Sequence, residues 1–202
     1  MIDKICQYLT NRIQKSLPDV DDERAEIINY GLQNIIGEIP KLFLVALIAY
    51  FLGVLELTIL AFFVLLPYRY FSGGFHLRTH VGCIIGTSLF YCGNALLSKY
   101  IILEPELLKY FIIAGIWVFS IIVIKLYAPA DTENFPILRK KERQIKRYLS
   151  YIVVTVGLIV AVFIADNTIS NILVFGTLLQ SLSITKIAYK LTNNKYGYEV
   201  YN

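Results

Sequence analysis

Two histidines and three cysteines carry most of the reactive chemistry of this sequence, and His76, His80 and Cys83 stand together in the stretch RYFSGGFHLRTHVGC. A thiolate, not a thiol, is the nucleophile, and a nearby imidazole both takes the thiol proton and stabilises the anion. The cluster therefore suggests a cysteine hydrolase or acyl transferase. Spacing limits how the groups can meet. On one continuous helix, seven residues separate His76 from Cys83 by about 10.5 Å of rise, and both side chains lean towards the N-terminus, so they would not touch. His76 serves Cys83 only if the backbone bends between them, with His76 in a loop after Gly73-Gly74 and Cys83 in the first turn of a helix. Unpaired N–H groups at such a helix start favour an anion. His80 is the geometric rival, since a residue three positions before Cys83 reaches it from the same helix face. His76, His80 and Cys83 at i, i+4 and i+7 would also share a helix face as zinc ligands, although the Glu of H-E-x-x-H is missing. The inert alternative is a cysteine that fills space at a helix start.

The other candidates are weaker. Cys6 and Cys92 have no histidine near them in sequence, and the odd number of cysteines matches no disulfide framework, so all three are expected as reduced thiols. Gly82 and Gly86 form a G-x-x-x-G around Cys83, which lets another helix approach closely, within the chain or in a homodimer. The basic run 139–147 suits anionic lipid headgroups or an acidic segment of a peptide. None of the twelve glycines lies in a G-x-x-x-x-G-K-[ST] phosphate loop. No cofactor is expected.

The elements that must hold these residues are membrane helices. Of the 202 residues, 56% are apolar and 17% charged, and the mean hydropathy is +0.59, too apolar for an ordinary soluble domain. The composition argues against a nucleic-acid binder or a secreted scaffold. Charge is absent from 42–55, 57–68, 81–98, 110–124, 148–165 and 167–185. Eighteen helical residues rise about 27 Å, close to the thickness of a hydrocarbon core, so the longer stretches suffice to span. The expected fold is an all-α integral membrane protein, one domain over 1–202, with about six transmembrane helices and an amphipathic N-terminal region over 1–40. There Ile2, Ile5, Cys6, Leu9, Ile13 and Leu17 recur at helical spacing, Pro18 supplies a stop, and a second helix runs from Asp21 to Gly37 before Pro40. No apolar run of signal-peptide length opens the sequence, so no cleaved leader is expected. The connector 125–147 holds Lys125, Arg139, Lys140, Lys141, Arg143, Lys146 and Arg147, which should keep it in the cytosol. Alternation puts 69–80, with Arg69 and Arg78, on the same side. Five spans result instead if 42–68 crosses once.

The arrangement of Arg69, Gly74, His76 and Cys83, with Tyr127-Ala128-Pro129-Ala130 opening the second connector, resembles the accessory gene regulator B (AgrB) family of membrane cysteine endopeptidases of quorum sensing. The resemblance covers nearly the whole chain. It implies a peptide-processing enzyme of the cell membrane whose cytosolic active site removes the C-terminal tail of an AgrD-type propeptide and promotes its cyclisation to a thiolactone or lactone. Cys83 would be the nucleophile and His76 its base, with Arg69 and Gly74 in support; His80 matches no family histidine. Asp131-Thr132-Glu133-Asn134 here departs from the lysine-rich start the second connector can have in the family. Two other classes compete. A small channel or carrier predicts ionisable residues inside the spans, and the six stretches have none. A non-catalytic membrane scaffold predicts that Cys83 is replaceable.

Overall fold

The computed structural model of the protein describes residues 2–17, 20–77, 79–133 and 136–201. Pro18, Arg78 and Asn134 lie outside the described residues, and so does the side chain of His80. Within the apolar stretches a hydrocarbon surrounding offers no partner for N–H and C=O groups, so the chain satisfies them internally as helices. The described residues contain no β-strand, and an isolated bridge joins Gly73 to Ala130.

The chain divides into two compact units, Met1–Leu47 and Ile48–Asn202. In the first, α1 (Ile2–Ser16) is amphipathic: Cys6 and Thr10, one turn apart, are buried, whereas Lys4 and Arg12 are exposed. Gln14 donates to the carboxylate of Asp22 at 2.9 Å. The helix α2 (Asp22–Phe51) then begins with the Asp21 carboxylate accepting from the backbone N–H of Arg24 at 2.9 Å. It corrects the expectation of a helix that stops before Pro40, because it runs through that residue to Phe51. A mid-helix proline costs about 3 kcal/mol in water, but unsatisfied backbone in hydrocarbon costs several kcal/mol per group, so breaking the helix there would cost more.

In the second unit α2 ends at a turn of Leu52 and Gly53, where Gly53 takes a φ of 66°. The unit contains α3 (Leu55–Ser72), α4 (His80–Tyr100), α5 (Glu106–Tyr127), α6 (Lys140–Phe163), α7 (Asn167–Ser183) and the short α8 (Lys186–Leu191) and α9 (Gly197–Tyr201). Each of the six uncharged stretches is largely helical. Four helices are long and apolar enough to cross a membrane: Leu55–Ser72, Val81–Tyr100, Glu106–Tyr127 and Lys140–Phe163. The apolar part of α2, Ile39–Phe51, is shorter, as is α7 with 17 residues.

The centre of this unit is α7, which packs against α3, α4, α5 and α6. Its buried residues combine the apolar Ile172, Leu173 and Val174 with small or polar ones, Ser170, Asn171, Gly176, Thr177, Gln180 and Ser181. Between helices in a bilayer the hydrophobic effect gives little net drive, so close backbone approach and hydrogen bonds hold them together. Ser170 Oγ donates to Ala161 O at 2.6 Å, and Asn94 Nδ2 to Ile172 O at 3.1 Å. Ser181 Oγ donates to Ser120 Oγ and also meets the hydroxyl of Tyr68, both at 2.8 Å. The large apolar side chains that point outwards, among them Phe63, Leu89, Phe111 and Phe163, suit a lipid surround.

Candidate active site

The stretch that gathers the histidines is part loop and part helix. α3 ends at Ser72, residues 73–77 form no helix, and α4 begins at His80. His76 is therefore in the loop, exposed, and Cys83 lies half-buried in the first turn of α4. Thr79 caps that turn: its hydroxyl accepts from Gly82 N at 3.0 Å, and its carbonyl accepts from Cys83 N at 2.9 Å. Because His76 precedes the helix, His76, His80 and Cys83 do not share one helix face, and the register on which the zinc alternative rests is not formed. Among the described residues no three His, Cys, Asp or Glu side chains are placed to hold a metal ion.

Leu77 seats the loop on α4. A Cβ added at Gly86 would lie 2.7 Å from Leu77 Cδ1, and one at Gly82 would lie 3.5 Å from Leu77 Cβ. The G-x-x-x-G that flanks Cys83 thus makes a notch filled from within the chain, by the residue that follows His76.

The loop backbone is tied by side chains from beneath. The Arg69 guanidinium, one turn before the end of α3, donates to Phe75 O at 2.8 Å, and also to Ser183 Oγ at 3.3 Å and Gln180 Oε1 at 3.4 Å. Gln180 is fully buried and donates in turn to Gly73 O and Ser72 Oγ, both at 2.8 Å. Gly74, with a φ of 143°, is where the chain passes over Arg69: a Cβ there would come within 2.6 Å of Arg69 Nη1. Glycine is required by the backbone and by the neighbour alike. Sequence reasoning missed Gln180, whose signal was its place among the polar residues Thr177, Ser181 and Ser183 in the second half of an uncharged stretch.

The second connector docks on the same loop. Gly74 N donates to Ala130 O at 2.9 Å, and Ala130 N donates to Ser72 O at 2.8 Å. A Cβ at Gly73 would collide with the Ala130 carbonyl. The segment Tyr127–Asp131 is held by α6, since Arg147 Nε donates to Ala128 O at 2.7 Å and Arg143 pairs with Asp131 at 2.8 Å. Asp131 Oδ2 accepts the Ile137 N–H as well, at 3.0 Å. Of the basic run 139–147, at least Arg143 and Arg147 thus have partners inside the protein, and Lys146 pairs with Glu142 at 3.2 Å. From the other side Tyr189 donates to Ala130 O at 2.7 Å; burial pushes its phenol up, so it keeps the proton it donates. A cavity of about 140 Å³ opens beside His76, lined by Tyr70, Gly74, Pro129, Asp131 and Lys146 among others. Cys6 and Cys92 are buried and belong to other parts of the chain.

The model of the family described as Accessory gene regulator B matches residues 6–184. A protein of Clostridium acetobutylicum named as AgrB-like is 22% identical over 196 residues, covering 97% of this chain and 91% of the relative. An AgrB-like protein of Listeria monocytogenes is 28% identical over 183 residues, covering 90% and 87%. One of Lactiplantibacillus plantarum is 26% identical over 178 residues, covering 87% and 85%. No solved structure matches the chain.

Proposed function

The chain belongs to the accessory gene regulator B family, and from that premise we propose that it is a membrane cysteine endopeptidase that processes an AgrD-type propeptide for quorum sensing. The observation that carries this reading is the fit of Leu77 into the Gly82 and Gly86 notch, which brings the His76 loop against the turn that holds Cys83. His76 takes the proton of the Cys83 thiol, and the thiolate attacks the carbonyl at the cleavage point. The C–N bond breaks, the imidazolium returns its proton to the leaving amine, and the tail departs with a new N-terminus. The propeptide remains as a thioester on Cys83. A thiol or hydroxyl of the propeptide then attacks that thioester, Cys83 leaves, and a thiolactone or lactone closes. One acyl bond is exchanged for another at each step, so the route needs no nucleotide. Arg69 and Gly74 support the site by fixing the loop backbone, and the loop faces the cytosol with the basic connector.

The test is mass spectrometry of the purified protein in nanodiscs with a synthetic AgrD-type propeptide, comparing wild type with Cys83→Ala, His76→Ala and His80→Ala. Wild type and His80→Ala should show a covalent propeptide adduct and a product one water lighter than the linear fragment. Cys83→Ala and His76→Ala should show neither. Full processing by Cys83→Ala would sink the reading. Loss of activity with a chelator and in His80→Ala, with no adduct in wild type, would favour metal chemistry instead.

A further inference from the structure

The loop that carries His76 has three of its carbonyls tied by side chains from three different elements. Gly73 O accepts from Gln180 of α7 at 2.8 Å, Phe75 O from Arg69 of α3 at 2.8 Å, and His76 O from Asn194 Nδ2 at 2.9 Å. The third tie falls on the histidine itself. Asn194 follows α8 and lies beyond the segment that the family model matches, which ends at residue 184.

Asn194 is itself tied to the chain around it. Its backbone N–H donates to Tyr189 O at 2.9 Å, and its carboxamide nitrogen also donates to Thr192 Oγ1 at 2.9 Å and Thr192 O at 3.1 Å. Asn193, with a φ of 53°, makes the turn that presents it, in a conformation that asparagine tolerates better than most residues. On either side the segment is anchored by aromatic stacking. The ring of Tyr196 stacks on Tyr189 at 4.0 Å and on Tyr198 at 5.2 Å, and its hydroxyl donates to Ile184 O at 2.9 Å. Gly197 adds a close approach to Asp131, where a Cβ would lie 2.6 Å from the carboxylate. Residues 189–198 therefore brace the second connector and the His76 loop together.

We propose that Asn194 is a positioning residue for His76, an inference that rests on the reading of His76 as the base for Cys83. A loop residue without regular backbone hydrogen bonds keeps conformational freedom that spreads its side chain over many positions. Catalytic efficiency falls steeply when a base moves by about 1 Å. The bond from Asn194 fixes the His76 peptide plane and with it the sweep of the imidazole. Asn194 touches neither the thiol nor the substrate in this role.

The test uses the full-length protein in nanodiscs and iodoacetamide as probe, following carboxamidomethylation of Cys83 by peptide mass spectrometry at neutral pH. Wild type, His76→Ala, Asn194→Ala and the double variant form a cycle. Asn194→Ala should slow alkylation about tenfold in the wild-type background and less than about twofold in the His76→Ala background, as expected when two residues act through one device. Asn194→Asp keeps the size but replaces the donor with an acceptor, and should slow the reaction as much; it carries the test if the alanine variant does not fold. Equal slowing in both backgrounds would reveal a general disturbance of the fold and overturn the proposal. So would a wild-type rate in Asn194→Asp. If His76→Ala alone leaves the rate unchanged, the reading of the base is wrong and the proposal falls with it, an outcome visible without any change at Asn194.

Discussion

At Gly74 two requirements coincide, a φ of 143° and the Arg69 guanidinium within 2.6 Å of where a Cβ would stand. Gly74→Ala must therefore distort the backbone, at about 1–3 kcal/mol, and push the guanidinium off Phe75 O. Processing should fall at least about tenfold while the protein still purifies as a folded species, checked by propeptide turnover beside a thermal melt. Arg69→Lys probes the same point from below. The planar fork of arginine donates to Phe75, Ser183 and Gln180 at once, whereas an ammonium is a point charge on a flexible stem. The lysine variant should keep its charge and lose most of its activity. Substantial turnover by Arg69→Lys would mean that Arg69 acts by charge alone. Types and spacing in the sequence singled out His76, His80 and Cys83, and the family resemblance added Arg69 and Gly74, but neither told what Arg69 touches, because two of its partners lie more than a hundred residues away, at the end of α7.

Among the elements, α7 is tied by polar contacts both at the His76 loop and away from it, and the predicted effects differ accordingly. Gln180 is enclosed between α3 and the His76 loop, and Gln180→Leu would leave Gly73 O, Ser72 Oγ and part of Arg69 without that partner. A buried polar group so stranded costs about 1–3 kcal/mol, and the loss should appear as reduced turnover as well as a lower melting temperature. Asn94, by contrast, links α4 to Ile172 O at 3.1 Å away from the loop. A hydrogen bond of this kind between membrane helices averages about 0.6 kcal/mol, so Asn94→Ala should lower stability slightly and leave turnover within about twofold. The second connector depends on the Asp131 and Arg143 pair, whose carboxylate is almost fully buried. Removing one partner of a buried pair costs about 3–5 kcal/mol. In Asp131→Ala the segment before α6 should loosen, and limited trypsin digestion at Arg139 and Lys140 should run several-fold faster than in wild type.

For the molecule as a whole, the proposed orientation assigns one side of the membrane to the His76 loop, the basic start of α6 and residues 184–198, and the opposite side to the connector 101–105. In a cysteine-free background that keeps only the tested thiol, Glu104→Cys should react with a membrane-impermeant maleimide from outside intact cells, and Lys195→Cys only after permeabilisation. The reverse pattern would invert the topology. The positive charge of the connectors is sufficient to predict this orientation, since lysine and arginine bias is a property of composition and distance from the spans.

What the sequence determined by itself is whatever depends on local order along the chain. Absence of charge marked six stretches that lie largely within α2 to α7, because hydrocarbon forces a backbone to pair within itself. For His76 to serve Cys83 the seven-residue interval required a bend, because a straight helix separates them by more than their side chains can reach. The tertiary structure decided everything that depends on two distant segments meeting. It sets α7 at the centre of the second unit, against α3, α4, α5 and α6, and it fills the Gly82 and Gly86 notch with Leu77. It also carries Asn194 back to His76 across 118 residues of sequence. Such pairings leave no periodic trace, because a single hydrogen bond between remote segments is chosen by the packing of all the helices between them.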